Sequence, residues 1–157
     1  MNKIASLLSA SRVVLDVAAP DKKALFERVG SLLDGTSGLN RTQIVGSLIA
    51  RERLGSTALG EGIAIPHGRV RGLREAVGAF LRLNPALAFD APDNRPVNLV
   101  FVLLVPDRAT DLHLQILSDL AQMFSDRRLR SELTAVSDAL SAQRLIASWE
   151  PHAPNAG

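Results

Sequence analysis

Cysteine is absent from the 157 residues. Its absence removes disulfides, thiolate nucleophiles and cysteine-ligated zinc or iron–sulfur centres. Tyrosine is absent as well. Long apolar runs are missing: the longest is Leu99 to Val105, seven residues, where a membrane helix takes about 20. No membrane insertion is expected. The N-terminus offers Ile4 to Leu8 after Lys3, with Arg12 close behind. That stretch is too short for the apolar region of a secretory leader, so cytoplasmic residence is the expectation. Asn40-Arg41-Thr42 spells a glycosylation acceptor that has no meaning without secretion.

Other signatures are missing too. There is no His-Glu-x-x-His pair and no Gly-x-Ser-x-Gly elbow, so neither a metal site nor a hydrolase serine is expected. Gly55 and Gly60 have P-loop spacing, but Glu61 stands where a phosphate-binding lysine belongs.

What is present is the composition of a globular chain, 46% hydrophobic and 22% charged, of a length that suits one domain. Net charge is +2, yet the pI is about 9.7. Fifteen arginines and three lysines face 16 carboxylates, and little titrates between the acids and the arginines. The basic residues are scattered, so no nucleic-acid footprint is read from them. Only Arg127, Arg128 and Arg130 cluster, as a solvated helix face.

Val13 to Val17 forms a β-prone run. Pro20-Asp21 opens a helix with Leu25, Val29, Leu32 and Leu33 on one stripe, stopped at Gly35. Asn40 begins a second helix, with Gln43 in capping-box spacing, that runs out near Arg51 to Arg53. The segment 54–62 holds three glycines and suits neither helix nor strand. Ile63-Ala64-Ile65 is a short strand ended by Pro66-His67-Gly68. Val77, Ala79 and Leu81 alternate in another. Ala91 to Asn94 is a turn. Leu99 to Val105 is apolar throughout, as in a sheet covered on both faces. Thr110 or Asp111 caps a strong helix bearing Ile116, Leu117, Leu120, Ala121 and Phe124. Helices at Arg127–Leu133 and Asp138–Ser148 follow, the last sealed by Trp149. The expected fold is α/β: a single layered domain with one mixed β-sheet flanked by helices.

Of three histidines, His152 lies in a Pro-rich tail and reads as inert. His67 follows a strand, between a residue that fixes the backbone and one without bulk. It is either a plain turn histidine or an imidazole presented beside the glycine-rich loop. His113 lies in the first turn of a helix, where anions are attracted; it is either an ordinary surface residue or a neighbour of a bound phosphate. If the strands preceding them run parallel side by side, the two imidazoles meet at one sheet edge. A neutral imidazole is nucleophilic near pH 7 and can accept a phosphoryl group. Arg51 could supply a guanidinium, and Ser56 and Thr57 hydroxyls and N–H groups.

The runs Ala50-Arg51-Glu52-Arg53-Leu54-Gly55-Ser56-Thr57 and Gly60-Glu61-Gly62-Ile63-Ala64-Ile65-Pro66-His67-Gly68 closely resemble enzyme IIA of the bacterial phosphotransferase system, mannitol/fructose type. Within that type the chain is similar to the nitrogen-regulatory IIA branch. Phe89-Asp90-Ala91-Pro92-Asp93, Leu103-Leu104-Val105-Pro106 and Asp111-Leu112-His113-Leu114 add to the likeness. The resemblance implies a domain over 4–148; residues 149–157, which match no family feature, are expected to form a disordered tail. The resemblance implies that His67 is the phosphorylated histidine, His113 the second active-site histidine and Arg51 the arginine stabilising the phosphorylated state. Ser56 and Thr57 would lie in the loop beside the site. The implied donor is an HPr-like phosphocarrier charged from phosphoenolpyruvate. No cofactor or metal is implied, and the implied partners are regulated proteins of unknown identity met by a monomer or weak dimer. Arg69, Arg71 and Arg74 either give the site a basic rim for an acidic partner face or serve solubility alone. The competing reading is a protein-binding module with a vestigial, unphosphorylated site.

Overall fold

The computed structural model describes residues 2–108 and 111–151. Its sheet is mixed, as the sequence implies. β1 (Val13–Val17), β5 (Val77–Leu87), β6 (Val97–Pro106), β3 (Ile63–Ala64) and β2 (Ala58–Gly60) lie in that order, and β4 (His67–Val70) also pairs with β6. β1 runs parallel to β5, β5 antiparallel to β6, and both β3 and β4 parallel to β6.

Helices cover both faces. α1 (Lys22–Leu33) and α2 (Arg41–Glu52) pack on one side with Val100, Val102 and Leu104 of β6. α3 (Asp111–Phe124), α4 (Arg127–Ala135) and α5 (Ala139–Ser148) pack on the other with Leu99, Phe101, Leu103 and Val105. A strand with both faces covered needs apolar residues at every position, and these seven are all nearly or wholly buried. The helix starts are set by side-chain caps: Asp21 accepts from the Ala24 N–H, Asn40 from Gln43 and Asp138 from Ser141. Trp149 seals α5, its N–H bonded to the Ile146 carbonyl and its ring Nε1 donating to Asp126 at 2.8 Å.

Two expectations fail. The glycine-rich segment does contain a strand: β2 pairs antiparallel with β3 through a two-residue turn. Glu61 (φ 58°) and Gly62 (φ 80°) both take the left-handed region, which is what a tight hairpin with the right twist demands. Pro66-His67-Gly68 does not end the strand region either. Ile63 and Ala64 pair with Leu99 and Val100, and His67 to Val70 resume pairing with Leu103 to Pro106. The offset is unchanged across the gap. Ile65 leaves the ladder to donate to the Thr57 carbonyl, and the Pro66 carbonyl accepts from Leu103. His67 therefore opens β4 instead of trailing β3. Thr110, one of the two cap candidates for α3, and the tail from His152 onward lie outside the described residues.

Candidate functional site

α2 and β4 build the centre of the site. Gly68 lets them touch: a Cβ there would stand 2.0 Å from Ser47 Oγ and 3.1 Å from the Ser47 carbonyl carbon. Ser47 Oγ donates to the Arg69 carbonyl at 2.9 Å, fixing the helix on the strand. Arg51, one turn after Ser47, then meets His67.

The His67 ring is held at both nitrogens. Nδ1 lies 2.8 Å from the Ile65 carbonyl, an oxygen that can only accept, so Nδ1 carries the proton. The lone pair of the neutral ring is therefore on Nε2, which accepts from Arg51 Nε at 3.3 Å. Arg51 Nη1 also donates to the Gly55 carbonyl at 2.8 Å, tying the guanidinium to the loop before β2. Burial, above all, lowers the His67 pKa from its ordinary 6.5; the bond to Ile65 opposes this, Arg51 adds to it, and Glu52 opposes it. The ring is thus held neutral and nucleophilic at pH 7.

His67 and Arg51 line a pocket of about 440 Å³ together with Arg69 and His113. β4 and the N-terminal turn of α3 bring the two imidazoles to one concavity beside β6. The rest of the lining is mostly apolar, including Leu54, Leu114 and Leu117, and no carboxylate lines it. Arg71 and Arg74 are exposed but do not line it. The basic rim at the pocket itself is therefore Arg51 and Arg69.

Ser56 and Thr57 are not part of this lining. Ser56 Oγ donates to the Phe89 carbonyl and accepts from the Ala58 N–H. Thr57 is buried, its Oγ1 donating to Glu52 at 2.6 Å and its N–H to the same carboxylate. Both hydroxyls shape the loop instead of facing the pocket. Glu52 is the residue that motif reading passes over. Its buried carboxylate also takes the ammonium of Lys22 at 2.8 Å, and Lys22 reaches Asp90 at 3.1 Å. This network secures the turn from α2 to β2. Its sequence signal is the spacing Glu52 to Thr57, a carboxylate five residues before a hydroxyl across a helix end. Among the described residues, no three His, Asp or Glu side chains come together to hold a metal ion. No described helix is long and apolar enough to cross a membrane.

Comparison with known proteins agrees with the fold. Residues 6–149 match the family model described as phosphoenolpyruvate-dependent sugar phosphotransferase system, EIIA 2. A nitrogen regulatory protein of Pseudomonas aeruginosa is 35% identical over 147 residues, covering 93% of this chain and 96% of its own. That of Escherichia coli K12 is 34% identical over 149 residues, covering 94% and 91%. The crystal structure of the nitrogen regulatory protein IIA-Ntr from Neisseria meningitidis superposes with a TM-score of 0.88 at 46% identity, over 92% of this chain and 99% of that one. The mannitol IIA of Escherichia coli shares the fold alone, with a TM-score of 0.75 at 22% identity, over 89% and 99% of the two chains. The chain belongs to the EIIA type-2 family of the phosphotransferase system, among its nitrogen-regulatory IIA members.

Proposed function

We propose that the protein is a cytoplasmic phosphohistidine carrier and regulator that accepts a phosphoryl group on His67 from an HPr-like phosphocarrier. The observation that carries this reading is the two-sided clamp on His67. Nδ1–H is spent on Ile65, and Nε2, on the pocket-lining ring, carries the lone pair, capped by the Arg51 N–H at 3.3 Å.

In the transfer, the Nε2 lone pair attacks the phosphorus of the donor's phosphohistidine. A new N–P bond forms as the donor's N–P bond breaks, and the donor imidazole leaves with that electron pair. The proton stays on Nδ1, where the Ile65 carbonyl supports the positive charge the ring acquires. The Arg51 N–H that caps Nε2 beforehand then turns to the phosphoryl oxygens, matching charge with charge. His113, on the same pocket, supplies a second imidazole toward the group. Ser56 and Thr57 serve by holding the loop that anchors Arg51 through Gly55. The phosphoryl group adds nearly two negative charges to a basic pocket, enough to change which partner proteins bind without refolding.

The test is intact mass after incubation with phosphoenolpyruvate, enzyme I and an HPr-like carrier, with wild type beside His67→Ala. One acid-labile phosphoryl group is expected on wild type and none on the variant. Absence of phosphorylation from every competent carrier would leave a binding module with an unused histidine.

A further inference from the structure

A second concavity lies away from His67. It is a groove of about 900 Å³ between the β2–β3 hairpin, the start of β6 and one face of α4. Leu99, in its floor, pairs with Ile63, whereas His67 pairs with Leu103. Four residues of strand separate the two positions, roughly 13 Å at about 3.3 Å each. The two concavities share no lining residue.

Three arginines line this groove. Arg127 and Arg130 come from α4, and Arg95 from the turn before β6. The arginine cluster visible in the sequence is therefore split by the helix. Arg128 faces away and pairs with Glu132 at 3.2 Å. Arg127 has no carboxylate within 4.0 Å among the described residues. Arg130 is steadied by a bond from Nη1 to the Phe124 carbonyl at 2.9 Å, which neutralises none of its charge. Arg95 is paired with Glu61 at 2.8 Å, and both of those side chains are more than half exposed. The lining residues thus carry three positive charges against one negative, and the Asp93 carboxylate, bonded to the Glu61 and Arg95 N–H groups, stands behind the hairpin turn. Hydroxyls of Ser125, Ser131 and Thr134 and the amide of Asn98 complete the lining.

We infer that this groove is a second binding site, for a small anion bearing phosphate groups. Guanidinium forks match phosphate oxygens, the Ser131 hydroxyl stands beside them, and the volume lies within the range of small-molecule sites. No aromatic side chain lines it, so bases have nothing to stack on, and single-stranded nucleic acid lacks its usual platform. Glu61 occupies Arg95 until an anion displaces it. The site does not depend on His67 being a phosphoacceptor.

Titration calorimetry with pyrophosphate, with succinate as the carboxylate control, tests it at low ionic strength. Wild type should bind one pyrophosphate saturably and succinate much more weakly. His67→Ala should keep the affinity, separating this groove from the phosphoryl pocket. Arg95→Gln with Arg127→Gln should lose about tenfold or more, and both side chains are exposed enough for the fold to survive, checked by thermal melting. Glu61→Gln should bind more tightly, because it releases Arg95 and removes the one lining carboxylate. No saturable binding, equal binding of succinate, loss in His67→Ala, or indifference to the paired arginine change would each overturn the assignment.

Discussion

At the scale of a residue, His67 is governed by opposing influences whose balance sets its chemistry. Burial is the largest and disfavours the charged ring; the Arg51 charge acts the same way, while the Ile65 bond and Glu52 favour protonation. The net effect is a folded pKa below the ordinary 6.5. Phosphoryl acceptance should therefore be at full rate at pH 7 and fall only as pH drops through that lowered value. Stability has the same sign. A depressed folded pKa means the unfolded chain binds the proton first, so the contribution is intact above 6.5 and lost as pH falls toward the folded value. Arg51→Gln removes the charge that lowers the pKa and should move the titration upward. An NMR titration of the His67 ring in both proteins checks this, and a wild-type midpoint above 6.5 would contradict the neutral-nucleophile argument. His67, Arg51 and His113 were legible as a group because each sits where backbone chemistry is visible in sequence: after a proline, at a helix end, in a first turn. Ser56 and Thr57 were not, since a hydroxyl's partner depends on what folds against it. Their acceptors, the Phe89 carbonyl and Glu52, are set by tertiary placement.

At the scale of an element, the decisive contact is α2 against β4. Gly68 permits it, and a methyl there would meet both the hydroxyl and the backbone of Ser47. Gly68→Ala should push the helix off the strand, costing about 1–3 kcal/mol as overpacking does. It should also slow phosphorylation, because Arg51 rides on the displaced helix. Ser47→Ala in the same chain removes the 2.0 Å clash but not the backbone contact at 3.1 Å, so rescue should be partial. Thermal melts and single-turnover phosphorylation of wild type and the two variants measure both effects; a Gly68→Ala protein with wild-type melting and rate would show that this contact does not hold the helix in place. Periodicity revealed α1, α2, α3 and β6 because each buries a continuous stripe or run. It could not reveal β2 and β4. These strands are three and four residues long, contain glycine, and exist because β3 and β6 offer them backbone partners.

At the scale of the whole molecule, the sheet carries both imidazoles to one mouth, and the mouth has a character of its own. Leu54 and Leu114 line it while 84% and 60% exposed, and Arg51 and Arg69 are its charges, with no carboxylate among the lining residues. Steering by such charges acts on the association rate and is screened by salt. The Debye length shrinks from about 10 Å at 0.1 M to about 3 Å at 1 M, so phosphorylation at limiting donor should slow markedly over that range. Arg69→Glu should slow it at low salt and flatten the dependence, since the reversed charge removes the attraction that salt would otherwise screen. Leu54→Ser should weaken transfer about equally at every salt concentration, because apolar burial is not screened. Both side chains are exposed and neither substitution should alter the melting temperature. Stopped-flow phosphorylation across an ionic-strength series separates the two contributions. A rate indifferent to salt and to Arg69→Glu would mean that the basic edge serves the phosphoryl group after transfer and has no part in recruiting its donor.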